Sequence, residues 1–242
     1  MSMLWLQAIV INTVLIAGAQ RFPLLTPSGW VHAGALGTVL WGCLGWQGWL
    51  AVVVYLAAGS LVTKIGWRDK QKRGLAEARG GRRSPANVWG SAATGAALAL
   101  LIGSGLEPKS LLLVGFSASF AAKLADTFGS EIGKRWGGQP RLITTLQPVP
   151  AGTEGAISLE GTLASAAGSV LMTLALYSLQ LLPSLAISSV VMLIGLLATL
   201  AESVLGAVAQ DRLTWLSNEL VNSLQTTLAA LLAIAVLSPW MS

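Results

Sequence analysis

The chain has 242 residues, of which 54% are hydrophobic and only 10% are Asp, Glu, Lys or Arg, with a formal net charge of +5. A soluble domain carries about 25% charged residues, so these few charges cannot cover a water-facing surface. The mean hydropathy of +0.69 excludes a disordered chain as well.

Long unbroken apolar runs, in place of the short alternating segments of a β-barrel, point to an all-α polytopic transmembrane helix bundle. Residues 1–242 read as a single integral membrane domain. In chain order, spans are expected at 3–20, 29–44, 47–63, 86–104, 109–125, 157–180, 184–203 and 219–238, about eight in all, or seven if 30–63 is not two full spans. The first lacks a basic leading region and is followed by Arg21, Pro23 and Pro27 without a small-residue cleavage site, so it reads as a span and not as a removable signal. The stretch 30–63 has no charge and is punctuated by Gly37, Gly42, Gly45 and Gly48. It reads either as two short tilted helices or as a re-entrant hairpin, and both return the chain to the same side.

The basic loop 64–85 follows. Lys64, Arg68, Lys70, Lys72, Arg73, Arg79, Arg82 and Arg83 place it in the cytoplasm by the positive-inside rule. Alternation puts Arg21, the motif loop 126–156 with Lys134, Arg135 and Arg141, and the segment 210–218 with Arg212 on the same side. Lys109 alone falls opposite, and both termini are expected there too. Gly95, Ala99 and Gly103 on one span, and Gly161, Ser165 and Ser169 on another, form small-residue strips suited to close helix packing.

Cys43 and His32 are the sole cysteine and histidine. An intramolecular disulfide, a thiolate zinc site and a multi-histidine metal site are therefore excluded, and both residues read as packing residues. Any bound metal must rest on oxygen ligands, as Mg²⁺ does.

Six of the acids, Asp126, Glu131, Glu154, Glu160, Glu202 and Glu219, lie at the cytoplasmic ends of expected spans. Buried acids are costly in a bilayer, so six at one face mark a site. Asp126, Ser130 and Lys134 share one helical face, while Glu131 lies about 140° round from Asp126. Aiming both acids at one ion would need a helix break near Gly129 or Gly133. The alternative is that one acid binds metal and the other pairs with a cation. Pro148, Pro150, Gly152 and Gly155 forbid helix around Thr153 and Glu154. A span beginning at Gly155 would present free N–H groups to an anion, with hydroxyls from Thr153 and Ser158. Asn218, Asn222 and Gln225 form a polar stripe on the last span beside Glu219, which is either a hydrogen-bonded seam or a ligand surface. Arg82, Arg83 and Asn87 open the span after the basic loop and suit a phosphate clamp. Such a set of carboxylates, amides, hydroxyls and cations suits phosphoryl or nucleotidyl transfer to a lipid acceptor.

The blocks Ala125-Asp-Thr-Phe-Gly-Ser-Glu-Ile-Gly-Lys134, Val149-Pro-Ala-Gly-Thr-Glu-Gly-Ala-Ile-Ser-Leu-Glu-Gly-Thr162, Ala201-Glu-Ser203 and Asn218-Glu-Leu-Val-Asn222 resemble the integral membrane family that contains transmembrane protein 19 and the chloroplast phytyl-phosphate kinase of the vitamin E pathway. Gly80-Gly-Arg-Arg-Ser-Pro-Ala-Asn-Val-Trp-Gly-Ser91 resembles its plant and cyanobacterial branch. The resemblance implies an enzyme of a plasma or thylakoid membrane that converts phytyl phosphate to phytyl diphosphate for tocopherol and phylloquinone synthesis. It implies a nucleoside triphosphate donor, CTP, with Mg²⁺ as cofactor, and no nucleic-acid partner. Asp126, Glu131 and Glu154 would hold Mg²⁺. Lys134 would act beside them, and Arg83 and Arg141 would bind phosphates. Asn87, Ser130, Thr153, Ser158, Glu160, Glu202, Asn218, Glu219 and Asn222 would complete the substrate and nucleotide site. A phytol or polyprenol kinase, a lipid cytidylyltransferase, and a transporter of a lipid or ion are the competing readings. Acids gathered at one face and not at the midplane disfavour the transporter.

Overall fold

The computed structural model describes residues 3–210, 213 and 215–241. Arg212, one of the cations assigned to the cytoplasmic face, lies outside the described residues. Among these residues eight α-helices run in the order α1 (Met3–Ala19), α2 (Pro27–Lys64), α3 (Trp67–Lys72), α4 (Pro85–Gly103), α5 (Lys109–Trp136), α6 (Leu159–Ser178), α7 (Leu185–Leu205) and α8 (Asn218–Met241). Six of them are long and apolar enough to cross a membrane, and the molecule is an all-α polytopic membrane protein.

The helix starts follow local chemistry. Thr26, Ser84, Ser158 and Ser184 each accept a backbone N–H three residues on, and Pro27 and Pro85 occupy first-turn positions where the missing N–H costs nothing. Ser84 and Asn87 close a reciprocal capping box.

α2 is a hairpin and not a single rod. Gly45 breaks it with φ 73° and ψ −168°, a conformation open to glycine and strained for other residues. Contacts between its two arms show the reversal: the Trp41 and Trp49 rings meet edge to face at 5.6 Å. The ends agree, since Thr26 N–H donates to the Arg83 carbonyl at 3.0 Å while a Cβ on Gly59 would lie 2.5 Å from the Arg83 guanidinium. The arms 27–44 and 46–64 each rise roughly 27 Å at 1.5 Å per residue, near the hydrocarbon thickness. The uncharged stretch therefore forms two membrane-length arms, and with α1 the segment number agrees with about seven to eight spans.

α5 is the hub, packed by α2, α4, α6, α7 and α8. Val114, Phe116, Phe120 and Leu124 on it are fully buried. α6 comes closest because Gly129 and Gly133 on α5, and Gly137 at its C-cap, face Ser158, Gly161 and Ser165, a small-residue seam across which backbones approach. A methyl at Gly129 would collide with the Ser165 hydroxyl. These glycines pack; they do not break the helix. α5 continues unbroken to Trp136, so the expected span end at 125 is too short and the expected motif loop 126–156 begins only after the helix. The charged residues 126–136 stay helical because their charges find partners.

Candidate functional site

Three segments converge at one end of the bundle: 65–84 after α2, 137–158 after α5, and the π-helical turn Gly206–Gln210 that follows α7. The first lies over the end of α5. Gly66, at φ 61°, turns the chain beside the Arg135 side chain. Lys70 on α3 then points inward, fully buried, donating to the Thr63 carbonyl at 2.9 Å and pairing with Glu131. Around this buried pair lie two exposed ones, Arg135–Asp69 at 2.7 Å and Lys134–Glu77 at 2.8 Å. Arg73 adds a bond to the Lys134 carbonyl at 3.0 Å. Partial desolvation of Glu77 disfavours its charge, but the Lys134 ammonium and its hydrogen bond outweigh this and hold the carboxyl below the usual carboxylate range. Further along, Arg79 donates to Asn87 at 3.0 Å, and Asn87 donates to Glu219 at 3.1 Å.

The second connection carries Thr153 and Glu154 in a turn, with the Thr153 hydroxyl donating to the Pro150 carbonyl at 2.8 Å. A two-residue strand, β1 (Arg141–Leu142), pairs antiparallel with β2 (Ala156–Ile157). Gly155, at φ 73°, packs so tightly on Ser203 and Ala207 that a Cβ would clash. This places helix α6 at Leu159, capped by Ser158, and not at Gly155. Thr153 and Glu154 therefore belong to the turn and not to a helix N-terminus.

Beneath these loops is a cavity of about 300 Å³. Its floor includes Lys123, which is 4% exposed and whose Nζ pairs with Asp126 and donates to the Asn222 side-chain oxygen at 2.9 Å. Arg83 enters from above, donating to the Tyr55 hydroxyl and lying 5.0 Å from its ring. The Glu202 and Ser203 side of α7 and the Asn87 and Ser91 side of α4 close the walls.

The model of the integral membrane protein family DUF92 matches residues 10–230. The chain belongs to the DUF92 family. An uncharacterised membrane protein of Synechocystis sp. is 47% identical over 237 residues, covering 96% of this chain and 91% of that protein. The chloroplastic protein VTE6 of Arabidopsis thaliana is 41% identical over 217 residues, covering 87% of this chain and 64% of VTE6. An uncharacterised membrane protein of Methanocaldococcus jannaschii is 29% identical over 229 residues, 95% of this chain and 92% of that one. No solved structure matches. The resemblance drawn from the motifs, including the plant and cyanobacterial branch, is borne out.

In this DUF92 protein most of the expected site residues share the one cavity: Arg83, Asn87, Asp126, Ser130, Glu131, Lys134, Thr153, Glu154, Ser158, Glu202, Asn218 and Asn222 all line it. Arg141 and Glu160 instead border a shallow groove on the far side of the 137–158 loop, with Arg141 donating to the Leu146 carbonyl at 2.7 Å. Glu219 stands behind Asn87, outside the cavity wall. Asp126 and Glu131 do not converge: α5 is unbroken, and each pairs with a lysine. Among the described residues no three His, Cys, Asp or Glu side chains are gathered to hold a metal. The polar stripe of α8 divides. Asn218 and Asn222 face the cavity, while Gln225 is a seam residue, donating to the Ala122 carbonyl at 3.2 Å and the Thr199 hydroxyl at 3.0 Å.

Four site residues lacked an assigned role in the sequence: Lys123, Lys70, Glu77 and Tyr55. Lys123 carried a signal, a cation in an apolar run three residues before Asp126. Lys70 and Glu77 sit in a loop whose composition hides which residue turns inward. Tyr55 lies on an uncharged hairpin arm, and only the packing of that arm against α4 brings it to Arg83.

Proposed function

We propose that this protein is a membrane-embedded prenyl-phosphate kinase of the vitamin E pathway, which transfers a phosphoryl group from a nucleoside triphosphate, CTP, to phytyl phosphate. The observation that carries the reading is the cavity itself: carboxylates, hydroxyls and the cations Arg83, Lys123 and Lys134 line one space at the end of a lipid-embedded bundle. The 41% identity to VTE6 supports the pathway. The excess of Lys and Arg around the cavity supports a cytoplasmic orientation, with both termini opposite.

The chemistry suits the residues. A phosphate monoester has a second pKa near 6, so the acceptor is already an anionic nucleophile at neutral pH and needs no histidine base. An acceptor oxygen attacks the terminal phosphorus, the bond from that phosphorus to the bridging oxygen breaks, and the nucleoside diphosphate leaves with the electron pair. Arg83 and Lys134 neutralise the charge on the phosphates. Mg²⁺ fits the donor set, since it typically takes one or two carboxylates and completes its shell with phosphates and water. Asp126 and Glu154 are the carboxylates we assign to it, and when bound it would neutralise phosphate charge. Glu131, committed to Lys70, is a positioning residue.

Purified protein incubated with phytyl phosphate, Mg²⁺ and each nucleoside triphosphate should yield phytyl diphosphate, read by mass analysis of the lipid. A product carrying a nucleoside monophosphate would replace this reading with a cytidylyltransferase. No phosphorylated product with any nucleotide would sink it. Asp126→Asn and Glu154→Gln should each abolish turnover while leaving the protein folded, and near-normal turnover in both would refute their roles.

A further inference from the structure

We infer that the cavity holds two separate phosphate subsites at different depths, with Lys123 and Asn222 forming the deeper one for the phosphate of the lipid acceptor. The inference rests on the kinase reading for the nature of the two ligands, but its geometry stands apart from it.

Two cationic centres lie along α5. Lys134 is near the loop end of the helix, under Glu77 and close to Arg73. Lys123 is eleven residues further in, about 16 Å at 1.5 Å per residue, within the apolar part of the bundle. The surroundings differ as much as the depth. Lys134 lies under a polar connection carrying Glu77, Arg79 and Arg82, whereas the Arg83 guanidinium reaches inward to Tyr55, whose ring packs on Phe120. Lys123 is reached from the cavity side only, and its helix neighbours Phe120 and Leu124 are fully buried.

A burial this deep makes a lysine expensive in a bilayer. Asp126 and Asn222 accept two of its three ammonium N–H groups. Among the described residues no third acceptor meets its Nζ, which borders the cavity. An ordinary ion pair within one helix, as Lys123 makes with Asp126, has no need to border a cavity; a phosphate subsite has. The depth selects the ligand, because a phosphate tethered to an isoprenoid chain sits at the edge of the hydrocarbon, while the base and sugar of a nucleotide stay at the polar end and only its terminal phosphate reaches inward. Asp126 and Ser130 lie between the two lysines on the face that Lys134 shares. The triphosphate held at Lys134 would extend its terminal phosphate along this face to meet the lipid phosphate: a lipid phosphate oxygen forms the new bond to the terminal phosphorus, the bond from that phosphorus to the bridging oxygen breaks, and the nucleoside diphosphate departs toward Lys134.

Binding of phytyl phosphate, of phytol as control, and of CTP is measured separately on the detergent-purified full chain. In Lys123→Met, affinity for phytyl phosphate should fall about ten- to a hundred-fold, the loss of one charge-assisted hydrogen bond. Phytol and CTP affinities should stay within about two-fold of wild type, and Lys123→Arg should restore part of the loss. Should Lys123→Met not fold, Asn222→Ala reads the same subsite with the ion pair to Asp126 kept, and should weaken phytyl phosphate several-fold without weakening CTP. Unchanged phytyl phosphate affinity, or equal loss of both ligands, overturns the assignment. If phytyl phosphate binding depends on Lys123 but no nucleotide is turned over by wild type, the kinase reading fails and the lipid phosphate subsite stands.

Discussion

The two lysine–glutamate pairs that fasten the 65–84 connection to α5 are chemically alike and physically opposite. Lys70–Glu131 is almost entirely buried, with 0% and 3% of the side chains exposed. Lys134–Glu77, one turn further along α5, is 24% and 46% exposed. A dry pair is costly to form and more costly to break, because removing one partner strands a charge in low dielectric. A half-wet pair is screened and contributes little to stability. The connection is therefore riveted at Lys70 and latched at Lys134, and the latch is the pair that presents both of its partners to the cavity. In the proposed reading, a phosphate arriving at Lys134 would compete with Glu77 at small cost, while the rivet keeps the loop in place.

Several substitutions would break or sharpen this contrast. The largest effect is expected from Lys70→Ala, which should destabilise by about 3–5 kcal/mol, measured by thermal unfolding in detergent. Lys70→Met combined with Glu131→Leu should recover most of that loss. If the single variant is as stable as wild type, the rivet does not exist.

Next, Gly129→Leu should wedge α5 from α6 at the Ser165 contact and cost about 1–3 kcal/mol, while leaving the Lys70 pair intact. A double variant with Lys70→Ala should then lose close to the sum of the two, provided the α6 seam and the Lys70 pair act independently on α5. A large departure from additivity would mean that the seam and the rivet are one unit.

Glu77→Gln should change stability by no more than roughly 1 kcal/mol. Its effect should appear instead in nucleotide binding, which should tighten as Lys134 loses its competitor. Weaker CTP binding in this variant would show that Glu77 is part of the nucleotide site and not a latch.

The smallest effect concerns pH. Glu77 has its pKa held below the ordinary value near 4.3. Its contribution is therefore present above that value and lost only as pH falls through the lower folded-state value. Hydrogen exchange of residues 74–83 should be steady from pH 7 to 5 and rise only on further acidification, once corrected for intrinsic rates. Glu77→Gln should remove that acid step. A step near pH 6 would contradict the assignment.

Much was legible in the sequence because lipid imposes simple rules. Apolar runs of span length and the crowding of Lys and Arg between α2 and α4 gave the bundle and its charged face before any contact was known. The acids at span mouths gave most of the cavity wall, since a carboxylate is tolerated there only with a partner. Arg141, Glu160 and Glu219 were misplaced for one reason: being close along the chain to site residues does not say which way a side chain faces after a two-residue strand or at a helix start.

The composition and its periodicity by themselves determined a polytopic helical membrane protein with one charged end, because burial of apolar surface and backbone hydrogen bonding in lipid leave no other solution. Pairing was decided only by the tertiary structure. Lys70 meets Glu131 across 61 positions, and Lys123 meets Asn222 across 99. Which partner each buried cation meets is an energy of distance and dielectric, and the Glu131 and Asn222 contacts exist only once α3 and α8 have packed on α5.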